Sequence, residues 1–150
     1  MGLVYDQHER VSDWVAVQMG FPPGSGSPVA SAIGYERDNE LVAAVLFENP
    51  TETNIFAHIA FCGEIFPLPL LAAVAKYVYV QMALRRMTFI VKDTNVACIR
   101  LIEKLGGCRE ARLRMGHKDG DLLLYVLWDT SRFYRKLIAT GRIEVGNEFV

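Results

Sequence analysis

TNVACIRLIEKLGGCREARLR, residues Thr94 to Arg114, divides into three physical pieces. Asp93-Thr94-Asn95 supplies short polar side chains able to cap a helix. Val96, Ile99, Leu101, Ile102 and Leu105 then give the following segment an apolar face at helical spacing. Gly106-Gly107 ends that helix by permitting a left-handed backbone, and Cys108 to Leu113 starts a strand. Immediately upstream, Met87 to Val91 is a short apolar strand, itself preceded by a predicted helix from about Leu68 to Leu84. In that helix Leu70, Leu71, Val74, Val78 and Met82 recur with its period, and Pro67 or Pro69 suits the first turn. Asn54 to Phe61 reads as the strand before it. Strand, helix and strand therefore predict a right-handed parallel crossover.

Further out, alternation and β-branched content predict a hairpin of Ala30 to Tyr35 and Leu41 to Phe47 about a polar turn at Arg37 to Glu40. A second turn, Glu48 to Thr53, joins it to Asn54 to Phe61. Near the start, Val11 to Met19 reads as a helix with Ser12 or Asp13 as cap, stopping at Gly20. Pro22 to Pro28, rich in Pro, Gly and Ser, reads as a mobile loop. Toward the end, Cys108 to Leu113 and Leu122 to Trp128 form a hairpin, and Ser131 to Ala139 forms a last helix. The expected fold is one α/β domain over 1–150, its tail from 142 giving no firm structural signal.

The 150 residues are 51% hydrophobic, enough for a sizeable core, and 22% charged with a net charge of -1. A pI near 6.3 gives no global field favouring nucleic acid or an anionic membrane. Ile65 to Leu84 is apolar but interrupted by Pro67, Pro69, Lys76 and Gln81, which reads as a core helix over a membrane span. No signal-peptide pattern occupies the amino terminus, so the expected location is the cytoplasm. Cys62, Cys98 and Cys108 lack CxxC spacing and read as reduced thiols. His8, His58 and His117 are far apart, and no metal site is expected.

Thr94 to Arg114 resembles the segment of GNAT acetyltransferases that runs Asn-x-x-Ser/Ala, amphipathic helix, Lys-x-Gly-Phe, Glu-x-x-x-Arg. Asn95, Cys98, Lys104, Gly106, Glu110 and Arg114 fall on or beside those positions. DWVAVQMG near the start, the hairpin ending in LFENP, and PLLAAVAKYVYVQMALRRMTFIV are similar to the GNAT-like branch found in phages and prophages. The resemblance implies a GNAT-type acyl-CoA N-acyltransferase fold: a mixed, mostly antiparallel sheet with a central parallel β-α-β unit. It also implies that Asn54 to Phe61 splays from Met87 to Val91, and that the pantetheine of acetyl-CoA enters between them like an added strand. The cofactor-binding residues implied are Phe61, Cys62, Gly63, Ile65, Phe66, Leu68, Asn95 and Arg100.

Three positions depart from the family pattern. The pyrophosphate loop has a single glycine, Gly63, while Pro67 and Pro69 lack N–H donors and Glu64 adds negative charge. Ile102 stands where many relatives carry a tyrosine that protonates the thiolate, and Gly107 replaces the phenylalanine after the helix.

An amine acceptor must lose a proton before it attacks a thioester, so a base is needed. His58, in the strand lining the implied slot, can serve, as can Glu48 at the end of the preceding strand, or Glu64 through water. Their plainer roles are a hydrogen-bonded half-buried histidine and solvated carboxylates. Asn95 can be both cap and coenzyme neighbour, and Arg100 either a phosphate ligand or a solvated helix residue. Cys62 reads as a buried structural thiol rather than a nucleophile. At least one of Tyr77 and Tyr79 should pack in the core, as should Trp14 and Trp128 unless they lie at an interface.

These features make the expected function acetyl transfer from acetyl-CoA to a primary amine of a small molecule or protein, entering beside the first helix and the Gly24 to Ser27 loop. The departures favour the alternative, a GNAT-fold binding or assembly module without catalysis, phage-encoded as a virion component or host-protein binder. In that case the location is the host cytoplasm. A homodimer through the C-terminal strands or helix is a further reading.

Overall fold

A computed structural model of the chain describes residues 2–25, 31–63 and 66–144. Its seven strands form one sheet in the order β1-β2-β3-β4-β5-β7-β6. They are β1 (Gly2–Val4), β2 (Ser31–Arg37), β3 (Glu40–Glu48), β4 (Asn54–Phe61), β5 (Arg86–Lys92), β6 (Cys108–His117) and β7 (Gly120–Trp128). The helices are α1 (His8–Gln18), α2 (Leu68–Ala75), α3 (Val96–Lys104) and α4 (Arg132–Ala139). Every neighbouring pair is antiparallel except β4 and β5, which are parallel.

Local chemistry explains most boundaries. Asp38 and Asn39 both adopt positive φ, 55° and 65°, the backbone of a tight two-residue hairpin turn that favours Asn and Asp. Asn95 caps α3 by accepting from the Cys98 N–H at 3.2 Å, and Ser131 caps α4 by accepting from the Tyr134 N–H at 3.3 Å. Gly106 ends α3 at φ 95°. An added Cβ at Gly107 would lie 2.4 Å from the Ile102 side chain and 2.9 Å from its carbonyl oxygen. A side chain at Gly107 would therefore require the end of α3 to shift.

Several expectations need correction. β1 was not anticipated, since three residues are too few to show a period. α1 begins at His8 rather than Val11 and has no side-chain cap. Ser12 is buried inside the helix, while Asp13 accepts from the Gly24 N–H at 2.7 Å and ties down the next loop. The helix expected over Leu68 to Leu84 is α-helical only to Ala75, then widens into a π-helical turn over Lys76–Gln81. That turn buries Val78 and Tyr79, whose hydroxyl donates to the Leu127 carbonyl of β7. The last hairpin extends to His117 and Gly120.

Side chains alternate across the sheet, so its two faces carry different cores. One face bears Ala43, Val45, Phe47, Ile55, Ala57, Met87, Phe89 and Val91, packed against α2, α3 and α4 through Leu70, Val74, Ile102 and Leu137. The other bears Ala44, Leu46 and Ala60 beneath Val11 and Val15 of α1. Gly34 lets α1 approach, because a Cβ there would meet Leu41 at 2.8 Å and Val11 at 3.3 Å.

Candidate active site

β4 and β5 pair over four rungs, from Asn54 with Arg86 to Ala57 with Phe89. Beyond that point β4 stays with β3 as far as Phe61, and β5 stays with β7 as far as Lys92. The two parallel strands thus part at their carboxyl ends, and the β5-facing amides and carbonyls of His58 to Phe61 have no strand partner. A hollow lies at this parting on each face of the sheet.

On the face of α3 and α4 the hollow is a cleft of about 940 Å³. Phe61, Gly63, Phe66, Leu71 and Phe133 give it apolar walls, and Arg100, Lys104, Arg132 and Lys136 give it charge. Spacing i, i+4 puts Arg100 and Lys104 on one stripe of α3, and Arg132 and Lys136 on one stripe of α4. Among the described residues none of the four is in an ion pair and no carboxylate lines the cleft. The start of α2, by contrast, is poor in donors. Pro67 and Pro69 have no N–H, and the Leu70 and Leu71 N–H groups donate back to the Pro67 carbonyl at 3.1 Å each. This donor set suits a phosphate-bearing chain, with cations on two helices standing in for a backbone cradle.

On the α1 face the hollow measures about 450 Å³. The end of α1 and the next residues supply Gln18, Met19 and Phe21, β4 supplies His58, β5 supplies Ile90 and Lys92, and the β6–β7 hairpin supplies His117 and Leu122. His58 stands opposite Leu46 in the β3–β4 ladder, diagonal to Glu48. His58 Nε2 lies 3.2 Å from Glu48 Oε2, both side chains being half-buried. A carboxylate accepts, so Nε2 carries a proton, and in the neutral ring the lone pair is then on Nδ1. Nδ1 is buried and has no partner among the described residues. An imidazole with an unpartnered acceptor nitrogen can take a proton from an N–H once the side chains that close Nδ1 off move aside.

The residues expected to bind cofactor divide between the two hollows. Phe61, Gly63, Phe66 and Arg100 line the cleft, whereas Asn95 lines the opposite hollow with His58. Leu68 is exposed at the start of α2 and lines neither. Cys62, expected to be buried, is exposed, and its N–H continues the ladder to the Val42 carbonyl at 2.8 Å. Ile65 and Glu64 lie outside the described residues, as do Gly26 to Ala30 and the tail from 145. Lys104, Arg132 and Lys136 were missed as site residues, although the repeated i, i+4 cation pairs were visible in the sequence.

The neighbouring ionisable groups are structural. Burial pushes the Cys98 thiol up to about 12, which keeps it protonated. Burial likewise raises the phenols of Tyr79, Tyr125 and Tyr134; Tyr125 also donates to Glu103 at 3.2 Å. Ile102 is fully buried in the core and offers nothing to the cleft. Among the described residues no three metal-ligating side chains gather, and no helix is long and apolar enough to cross a membrane.

No family model matches the sequence, and no curated protein matches it. Solved structures do. A protein from T. thermophilus assigned as an acetyltransferase superposes with a TM-score of 0.63 at 16% identity, over 84% of this chain and 71% of the other. Mutant forms of the spermidine/spermine N-acetyltransferase SpeG from Vibrio cholerae give 0.62 at 14% identity, over 73% and 72% of the two chains. Ard1 from Thermoplasma volcanium gives 0.57 at 14%, over 65% and 69%. The chain has the fold of GNAT acetyltransferases.

Proposed function

We propose that this protein is an N-acetyltransferase that moves an acetyl group from acetyl-CoA to a primary amine. The observation that carries the proposal is the parting of β4 and β5 after Ala57 and Phe89, with a cation-lined cleft on one face and a histidine–glutamate pair on the other. Acetyl-CoA, when bound, supplies the acetyl group as an activated thioester. Arg100, Lys104, Arg132 and Lys136 would hold its phosphates, and the unpartnered backbone of His58 to Phe61 would align its amide-bearing arm as a strand is aligned.

The amine enters from the α1 face. His58 Nδ1, closed to solvent, accepts the proton that the amine must lose once the side chains over it part, while Glu48 holds the ring and stabilises the charge it gains. A β4 backbone N–H at the gap is placed to polarise a carbonyl. Ile102, apolar and fully buried, would offer no acid to a departing thiolate. The likeness of several segments to the phage and prophage branch belongs to the same proposal.

Isothermal titration with acetyl-CoA tests it. Saturable heat at a Kd in the micromolar range is expected. Absence of heat at high micromolar protein removes the transferase proposal and favours the non-catalytic binding module instead.

A further inference from the structure

We infer that the acceptor is a primary amine carried on a single apolar body, with no second cationic centre. This rests on the acetyltransfer proposal and narrows its substrate. The hollow beside His58 has the size of a small-molecule site, and its walls are mostly apolar. Met19 and Phe21, which line it, are 44% and 50% exposed and so offer adjoining apolar surface to a ligand. Ile90 and Leu122 continue the apolar wall inward.

Charge points the same way. Besides His58, the ionisable side chains lining the hollow are Lys92, His117 and the Cys98 thiol, which burial keeps protonated, and among the described residues no carboxylate lines it. Of the carboxylates close in sequence or contact to the lining residues, Glu48 holds His58, and Asp119 lies 3.9 Å from Lys92 and 4.0 Å from His117. Asp121 accepts from Arg112 at 2.6 Å, while Asp93 lies against Gly120 with Oδ1 buried. A polyamine would bring additional ammonium groups into this space, where they would meet apolar walls and like charge instead of carboxylates. An arylalkyl amine brings one nitrogen for His58 and a body that covers Met19 and Phe21. The chain thus shares its fold with a spermidine/spermine acetyltransferase while its acceptor hollow suits a different kind of amine.

The test offers 2-phenylethylamine and spermidine in parallel to the protein with acetyl-CoA, and quantifies acetylated product by mass spectrometry. Acetyl-CoA binding is measured separately by calorimetry. The expected kcat/KM is at least about tenfold higher for 2-phenylethylamine. Met19→Glu and Phe21→Glu, at exposed positions where folding should persist, place a carboxylate at the rim and are expected to move the ratio about tenfold toward spermidine. Equal or better turnover of spermidine overturns the inference, as does an unmoved ratio in both variants. Acetyl-CoA binding with neither amine acetylated overturns it and leaves the cofactor site standing, whereas loss of acetyl-CoA binding removes both.

Discussion

Replacing Glu48 by Gln probes the proton-accepting pair with little change of shape. The carboxylate oxygen lies 3.2 Å from His58 Nε2. With an effective dielectric constant of about 20, an imidazolium and a carboxylate at that separation attract by about 5 kcal/mol. Glutamine keeps a hydrogen-bonding oxygen, and solvent reaches both half-buried side chains, so the expected loss is smaller, about 2 kcal/mol. This corresponds to a fall in kcat of roughly thirtyfold. His58→Ala removes the acceptor nitrogen altogether and should lower kcat by about 10² to 10⁴. Steady-state kinetics with a fixed amine, alongside calorimetric Kd for acetyl-CoA, separate catalysis from binding. Wild-type kcat in His58→Ala would show that another group takes the proton. A parallel rise in the acetyl-CoA Kd of both variants would show that the pair shapes the cofactor cleft instead.

The remaining expectations concern the cleft, the tight turn and the thiols. Arg100→Ala and Arg132→Ala should each weaken acetyl-CoA by about 1 kcal/mol, roughly fivefold in Kd, with wild-type affinity falling as salt rises; an unchanged Kd in the double variant would place the phosphates elsewhere. Gly107→Ala must push against the Ile102 side chain and carbonyl, so thermal denaturation should show a loss of about 1 to 3 kcal/mol, and an unchanged midpoint would contradict the close approach. At pH 8 a thiol reagent should label exposed Cys62 and Cys108 quickly, but Cys98 only as the protein unfolds, because its thiol titrates near 12; rapid labelling of all three would refute the burial of Cys98.

The elements that carry strong local signals were legible in sequence: Asn95 and Gly106 bracket α3, Asp38-Asn39 sets a hairpin, and Asn54 to Phe61 alternates as β4 does. What escaped depends on tertiary contact. A three-residue strand such as β1 shows no period, and apolar residues at Val74, Val78 and Met82 fit an α-helix as well as the π-helical turn that brings Tyr79 to Leu127. His58 and Glu48 were each plausible alone. Only the register of β3 against β4 makes them neighbours across the Asn49 to Thr53 turn. Arg132 and Lys136 were passed over because nothing local tells a solvated helix stripe from one facing a cleft. The loop after Gly63 reads as a weakened phosphate site, and the cations lining the cleft come from α3 and α4, distant from it in sequence.

The central claim is that the parted edge of β4 receives the arm of acetyl-CoA. Hydrogen–deuterium exchange of the protein, free and saturated with acetyl-CoA, reads that edge directly. The account predicts slowed exchange at the gap-facing amides of His58 to Gly63, with little change in β2 and β3. Unaltered exchange along that edge, at a concentration where calorimetry shows the site filled, would contradict it.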